Sequence, residues 1–154
     1  MKKIKIALVT GGFTEESAIS VKSAENSANH LTLEGFDVYP IVITPDAWYF
    51  ENGNGRTAVD KNDFTIQLKS QKTSFDMAFI TIHGTPGEDG KLQGYFDLIG
   101  MRYNTCNAAT SALTMNKAYT KAVVHGIDQL YTATSVHLPD RRYVKTAIMR
   151  QELK

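Results

Sequence analysis

The chain concentrates its chemistry in two places. His83, Glu88 and Asp89 crowd into a glycine-rich stretch, HGTPGEDGKLQG (83–94), that directly follows the apolar run of Phe79, Ile80 and Ile82. Glycine lets a backbone adopt positive φ and approach a ligand closely. An imidazole beside Gly84 is well chosen to polarise a carboxylate, and Glu88 hydrogen-bonded to it would fix its tautomer. The plainer reading makes His83 a satisfied structural residue, with Glu88 and Asp89 as ordinary turn and cap residues; Gln93 fits either. The second place is Glu16, just after Gly11-Gly12 and at the start of a helical pattern. A carboxylate there either complements the helix dipole or pairs with a substrate ammonium, and Glu15 competes for the same role. Lys117 and Lys121 lie one helical turn apart, as solvated lysines do by default and as a phosphate site would require. No GxxxxGK[ST] or GxGxxG motif occurs, and no His/Cys cluster has zinc spacing.

These residues need elements to hold them. Ile4, Ile6, Ala7, Leu8 and Val9 read as a buried parallel strand ended by Thr10-Gly11-Gly12. Thr14 is a candidate N-cap for a helix over residues 15–34, with Val21, Ala24, Ala28 and Leu31 as its apolar face and Gly35 as its stop. A strand over 36–44 contains Pro40, which demands an edge position or a bulge. Trp48–Phe50 suggests a short return strand. Residues 51–74 turn to Gly, Asn, Lys and Thr with one alternating patch, Phe64, Ile66 and Leu68, and read as surface hairpin and loop. Beyond Gly100, Met101, Tyr103 and Cys106 suggest a short strand, followed by the small-residue run 107–113. A helix is expected from Asn116 to Gly126, a strand over 131–138, and a charged, weakly amphipathic segment from Arg141. The order predicts an α/β layered fold with a mostly parallel sheet, both glycine-rich turns facing one crevice at the strands' carboxyl ends.

The totals narrow the function classes. With 154 residues, 42% of them hydrophobic, the chain has material for a real core. Seventeen basic against 16 acidic residues leave a net charge of +1, which gives no bulk attraction to nucleic acid or an anionic membrane and points to a small-molecule partner. The lone Cys106 cannot form an internal disulfide, and no apolar run reaches membrane-spanning length, so a cytoplasmic setting is expected.

Three segments, GGFTEESAIS (11–20), HGTPGEDGKLQG (83–94) and LTMNKAYTK (113–121), together resemble, in order and spacing, the N-terminal part of D-alanine-D-alanine ligases. The resemblance spans nearly all of residues 4–127. It implies the Rossmann-like domain that precedes an ATP-grasp domain, with residues 1–126 as the substrate domain and 127–154 as the beginning of a truncated central domain. The implied activity is an ATP-dependent, Mg2+-requiring joining of two D-alanine molecules for peptidoglycan. One carboxylate becomes an acyl phosphate, and the second amine attacks it through a tetrahedral intermediate whose charge needs nearby donors. By position, Glu16 matches the glutamate binding the first ammonium, His83 the histidine beside its carboxylate, Glu88 the acid supporting that histidine, and Lys117 a lysine directed at ATP phosphates.

Two departures from the family pattern stand out. Ser17 and Ala18 stand where His or Arg and then Glu or Asp are usual, and Asn116 replaces an Asp, though it can still cap a helix. Family members continue for about another domain and a half. That missing part is expected to hold the Mg2+ ligands and most of the ATP contacts. The expectation is therefore a portion of a homodimeric ligase, with little turnover by itself. The alternatives are a ligase making D-alanine-D-lactate or D-alanine-D-serine, and a non-catalytic amino-acid-binding α/β module.

Overall fold

The structure, a computed structural model, describes residues 3–53 and 55–137. The chain divides into two compact units, residues 1–115 and 116–154. In the first, β1 (Lys5–Gly11) leads through α1 (Ser17–Leu33) to β2 (Asp37–Ile43). An antiparallel run follows: β3 (Trp48–Asn52), β4 (Gly55–Asp60), β5 (Thr65–Leu68) and β6 (Gln71–Thr73). Then come β7 (Met77–Ile80), α2 (Lys91–Leu98) and α3 (Ala108–Met115).

The strands form a single curled sheet in the order β6-β5-β4-β3-β2-β1-β7. The α/β class holds, but the sheet is only partly parallel. Strand β1 runs parallel to β2 and to β7, whereas β2 through β6 pair antiparallel. The reason lies in residues 51–74, read from sequence as surface hairpin and loop. Short polar turns join strands there whose alternate residues are apolar, so Val59, Phe64 and Ile66 are buried. Hairpins need no crossover helix, which makes antiparallel pairing the available geometry. Pro40 is accommodated because β3 pairs only with Ile41–Ile43, leaving Pro40 on a stretch bonded on the β1 side alone.

The main core fills one face of the sheet: Ala7 and Val9 from β1, Ile41 and Ile43 from β2, Ala78 and Ile80 from β7, and Leu92 and Phe96 from α2. Phe64 is fully buried, its ring set edge-on against Trp48, Phe75, Tyr95 and Phe96. Helix α1 lies against β1 and β2. Its buried residues are Ser20 and Ala24, with Ser23, Ser27, Ala28 and Leu31 half-buried, while Val21 is exposed. Ala24, Ala28 and Leu31 of the apolar stripe expected from sequence thus face inward, Val21 does not, and Ser20, Ser23 and Ser27 widen the inner face with small residues. Residues 101–106 contribute an isolated bridge from Tyr103 to Ala78 in place of the expected strand. The small-residue run is a helix, α3, whose first turn is capped by Asn107 Oδ1 accepting from the Thr110 N–H.

In the second unit, Asn116 caps α4 (Lys117–Val124) as expected, its side-chain oxygen accepting from the amides of Ala118 and Tyr119. Residues 131–137 show no strand. Leu138 and the charged segment lie outside the described residues. Among the described residues no helix is long and apolar enough to cross a membrane.

Candidate functional site

Strands β1 and β7 are parallel neighbours, so their carboxyl ends deliver two loops to the same edge of the sheet. Pairing continues past β7 with Thr81 N–H donating to Val9 O at 2.9 Å. Phe13 N–H donates to Thr85 O at 2.9 Å and ties the glycine turn after β1 to the loop after β7. Such a joined pair of loops is where open parallel sheets hold ligands.

Glu16 immediately precedes α1, and its side chain makes no capping bond to the helix. The carboxylate turns to the other loop: a Cβ built on Gly84 would stand 3.2 Å from Glu16 Oε2 and 3.1 Å from Thr14 Oγ1. Gly84 has φ +70°, and its lack of a side chain leaves room for that carboxylate. Glu15 and Glu16 are both exposed.

His83 is half-buried and held at two points by α1. Its backbone N–H donates to Ser20 Oγ at 2.9 Å, and its ring Nε2 lies 3.3 Å from Ser23 Oγ. Ser20 is fully buried and donates in turn to Glu16 O at 3.3 Å. Glu88 is exposed, and its Oε2 accepts from Gly84 N–H at 2.8 Å. The expected bond from Glu88 to the His83 imidazole is thus replaced by one to the backbone of the adjoining residue. Ser20 and Ser23 escaped the sequence reading. Their signal was there: Glu16, Ser20 and Ser23 fall at i, i+4 and i+7, one face of a helix whose polar residues face inward.

The rest of the loop is built to stay in place. Thr85–Pro86 is a cis peptide. Thr85 Oγ1 donates to Asp89 Oδ2 at 2.5 Å, and the Lys91 ammonium donates to the same carboxylate. Partial burial disfavours the Asp89 anion, but the bonds from Lys91 and Thr85 outweigh it and hold its pKa below the usual carboxylate value. Gln93, with no exposed surface, donates from Nε2 to Gly87 O at 2.6 Å and to Thr105 Oγ1 at 3.0 Å. It is a brace of the loop. Gly87 is packed so closely that an added Cβ would meet Ile82 O at 2.5 Å.

Glu16 and Glu88 thus each bring a carboxylate oxygen to Gly84, and His83 is the residue before it, its own backbone N–H taken by Ser20 Oγ. Lys117 belongs to the second unit, where it is exposed at the start of α4. Lys121, its neighbour one turn on, donates to Ala133 O and, at 2.8 Å, to Ser135 Oγ.

The arrangement has relatives. The family model described as D-ala D-ala ligase N-terminus matches residues 5–106. The chain belongs to that family. The D-alanine--D-alanine ligase of Parabacteroides distasonis is 47% identical over 118 residues, which are 76% of this chain and 36% of that protein. The structure of D-alanyl-alanine synthetase A from Vibrio cholerae superposes with a TM-score of 0.80 at 27% identity, covering 99% of this chain and 46% of the other. VanG D-Ala:D-Ser ligase from Enterococcus faecalis gives a TM-score of 0.76 at 26% identity, covering 98% of this chain and 49% of the other. The chain thus spans about a third of the length of the curated relatives it matches.

Proposed function

We propose that this chain is the N-terminal, substrate-binding portion of a D-alanine-D-alanine ligase, in which residues 1–126 form the substrate domain and 127–154 begin the central ATP-grasp domain. The observation that carries the reading is the convergence of Glu16 and His83 at Gly84. A D-alanine zwitterion needs an anion for its ammonium and a donor for its carboxylate, and this crevice offers both. Glu16 pairs with the ammonium and His83 orients the carboxylate. Glu88 holds the Gly84 amide and with it the loop that carries His83.

Lys117 fits a phosphate as one exposed ammonium. The first amides of α4 are already taken by Asn116, so the helix end itself is not offered to an anion. When bound, ATP supplies the phosphoryl group that activates one carboxylate. Among the described residues no group of three His, Cys, Asp or Glu side chains could hold a metal ion, so Mg2+ does not fit them and no step runs through it here. The whole ligase is proposed to be a cytoplasmic homodimer acting in peptidoglycan synthesis. D-serine as second substrate is a neighbouring reading, supported by the likeness to a D-Ala:D-Ser ligase.

Phosphate release in the presence of ATP, Mg2+ and D-alanine tests the assignment. The 154-residue chain is expected to turn over little or nothing beside a full-length D-alanine-D-alanine ligase. Turnover near that control would overturn the division of labour proposed here.

A further inference from the structure

The two contacts between α1 and His83 differ in kind. Ser20 has both hydroxyl functions accounted for, since its oxygen accepts from the His83 backbone N–H and its proton goes to Glu16 O. Ser23 has one partner among the described contacts, His83 Nε2 at 3.3 Å. If the ring donated to Ser23 Oγ, the half-buried hydroxyl proton would find no acceptor among the described protein contacts and would be left to solvent. If the hydroxyl donates to Nε2, the pair is satisfied as it stands. The proton of the neutral imidazole then resides on Nδ1, because the bond made by one ring nitrogen sets the state of the other.

We propose that Ser23 is the positioning residue that selects the Nδ1–H tautomer of His83, so that the neutral ring presents an N–H donor, not a lone pair, at its free nitrogen. Ser20 fixes where the residue sits and Ser23 fixes which nitrogen carries the proton. The functional consequence rests on the substrate reading above: an N–H at the free nitrogen can bind a carboxylate without the ring having to take up a proton. The tautomer itself does not depend on that reading.

Long-range 1H–15N spectra of the labelled chain at mildly alkaline pH report each tautomer directly, and the His83 signals are those lost in His83→Gln. The wild-type chain is expected to show mainly Nδ1–H at His83. Ser23→Ala, a substitution favourable to helix and so to folding, is expected to invert the populations toward the Nε2–H form that free imidazole prefers. Ser23→Thr keeps the hydroxyl and is expected to restore the wild-type pattern. Wild-type signals of mainly Nε2–H, or an unchanged tautomer in Ser23→Ala, would overturn the proposal. In D-alanine titrations of the same samples, Ser23→Ala is expected to weaken binding several-fold and Ser23→Thr to restore it. An inverted tautomer in a protein that never binds D-alanine would sustain the role of Ser23 and refute the substrate reading instead.

Discussion

Replacing Gly84 by alanine tests whether the Glu16 carboxylate truly lies against the loop after β7. Two costs are separable. The first is backbone strain at φ +70°, about 1–2 kcal/mol for a residue with a Cβ, offset by up to about 1 kcal/mol from a stiffer unfolded chain. Gly35→Ala isolates that cost, because Gly35 has φ +87° and an added Cβ there meets nothing within 4 Å. The second is contact: at Gly84 the Cβ would meet Thr14 Oγ1 at 3.1 Å and Glu16 Oε2 at 3.2 Å, tight but with side chains able to yield. We therefore expect Gly35→Ala to cost about 1 kcal/mol and Gly84→Ala up to about 1 kcal/mol more. The decisive step is a double-mutant cycle with Glu16→Ala. Removing the carboxylate should relieve part of the contact, giving a coupling of about 0.5 kcal/mol or more. Urea unfolding followed by Trp48, the single tryptophan and a residue of β3, reads these values, since m is about 1–3 kcal/mol/M for a domain of this class. Additivity within about 0.3 kcal/mol would place the Glu16 carboxylate elsewhere and remove the basis of the site.

Other consequences follow from the packing and charges. Phe64→Ala empties the centre of the aromatic cluster and should cost about 3–5 kcal/mol in the same urea assay, although the sequence reading puts this residue in a surface hairpin and loop. Asp89→Asn should cost about 1.5–3 kcal/mol at neutral pH through its charge-assisted bonds. Because the folded-state pKa of Asp89 lies below its ordinary 3.8, the wild-type advantage should be present above that value and vanish as pH falls through the folded pKa, as acid titration of the two proteins would show. Burial first, then the charges of Asp63 and Asp60, push Tyr95 up to about 12 from 10.0. Its contribution is whole below pH 10.0 and lost as pH rises toward about 12, so Tyr95→Phe should flatten the alkaline stability loss followed by circular dichroism.

What the sequence revealed and what it hid have physical causes. The strand–glycine–helix unit around His83 was legible because its signals are local: an apolar run, a cluster of glycines, then helical spacing. The Asn116 cap was legible for the same reason. The return strand β3 was legible, but the full run of antiparallel strands from β4 to β6 was obscured because polar turns dominate their composition, and burial of Phe64 and Ile66 is decided by what the sheet curls around. The face of α1 was legible at Ala24, Ala28 and Leu31 but not at Ser20, because serines are not scored as inward-facing, yet Ser20 is inside to hold the His83 backbone. Glu88 was expected to bond the His83 imidazole, but its partner is the Gly84 backbone amide, and no spacing rule distinguishes the two. A tertiary contact such as Glu16 with Gly84 spans two loops and is visible only in the fold.

The central claim is that the crevice at Gly84 binds D-alanine through Glu16 and His83. An NMR titration of the 15N-labelled chain with D-alanine tests it most directly. The account predicts saturable shifts centred on the amides of residues 14–16, 83 and 84, lost in Glu16→Gln while the remaining spectrum is unchanged. Shifts that appear elsewhere, or that persist undiminished in Glu16→Gln, would contradict it.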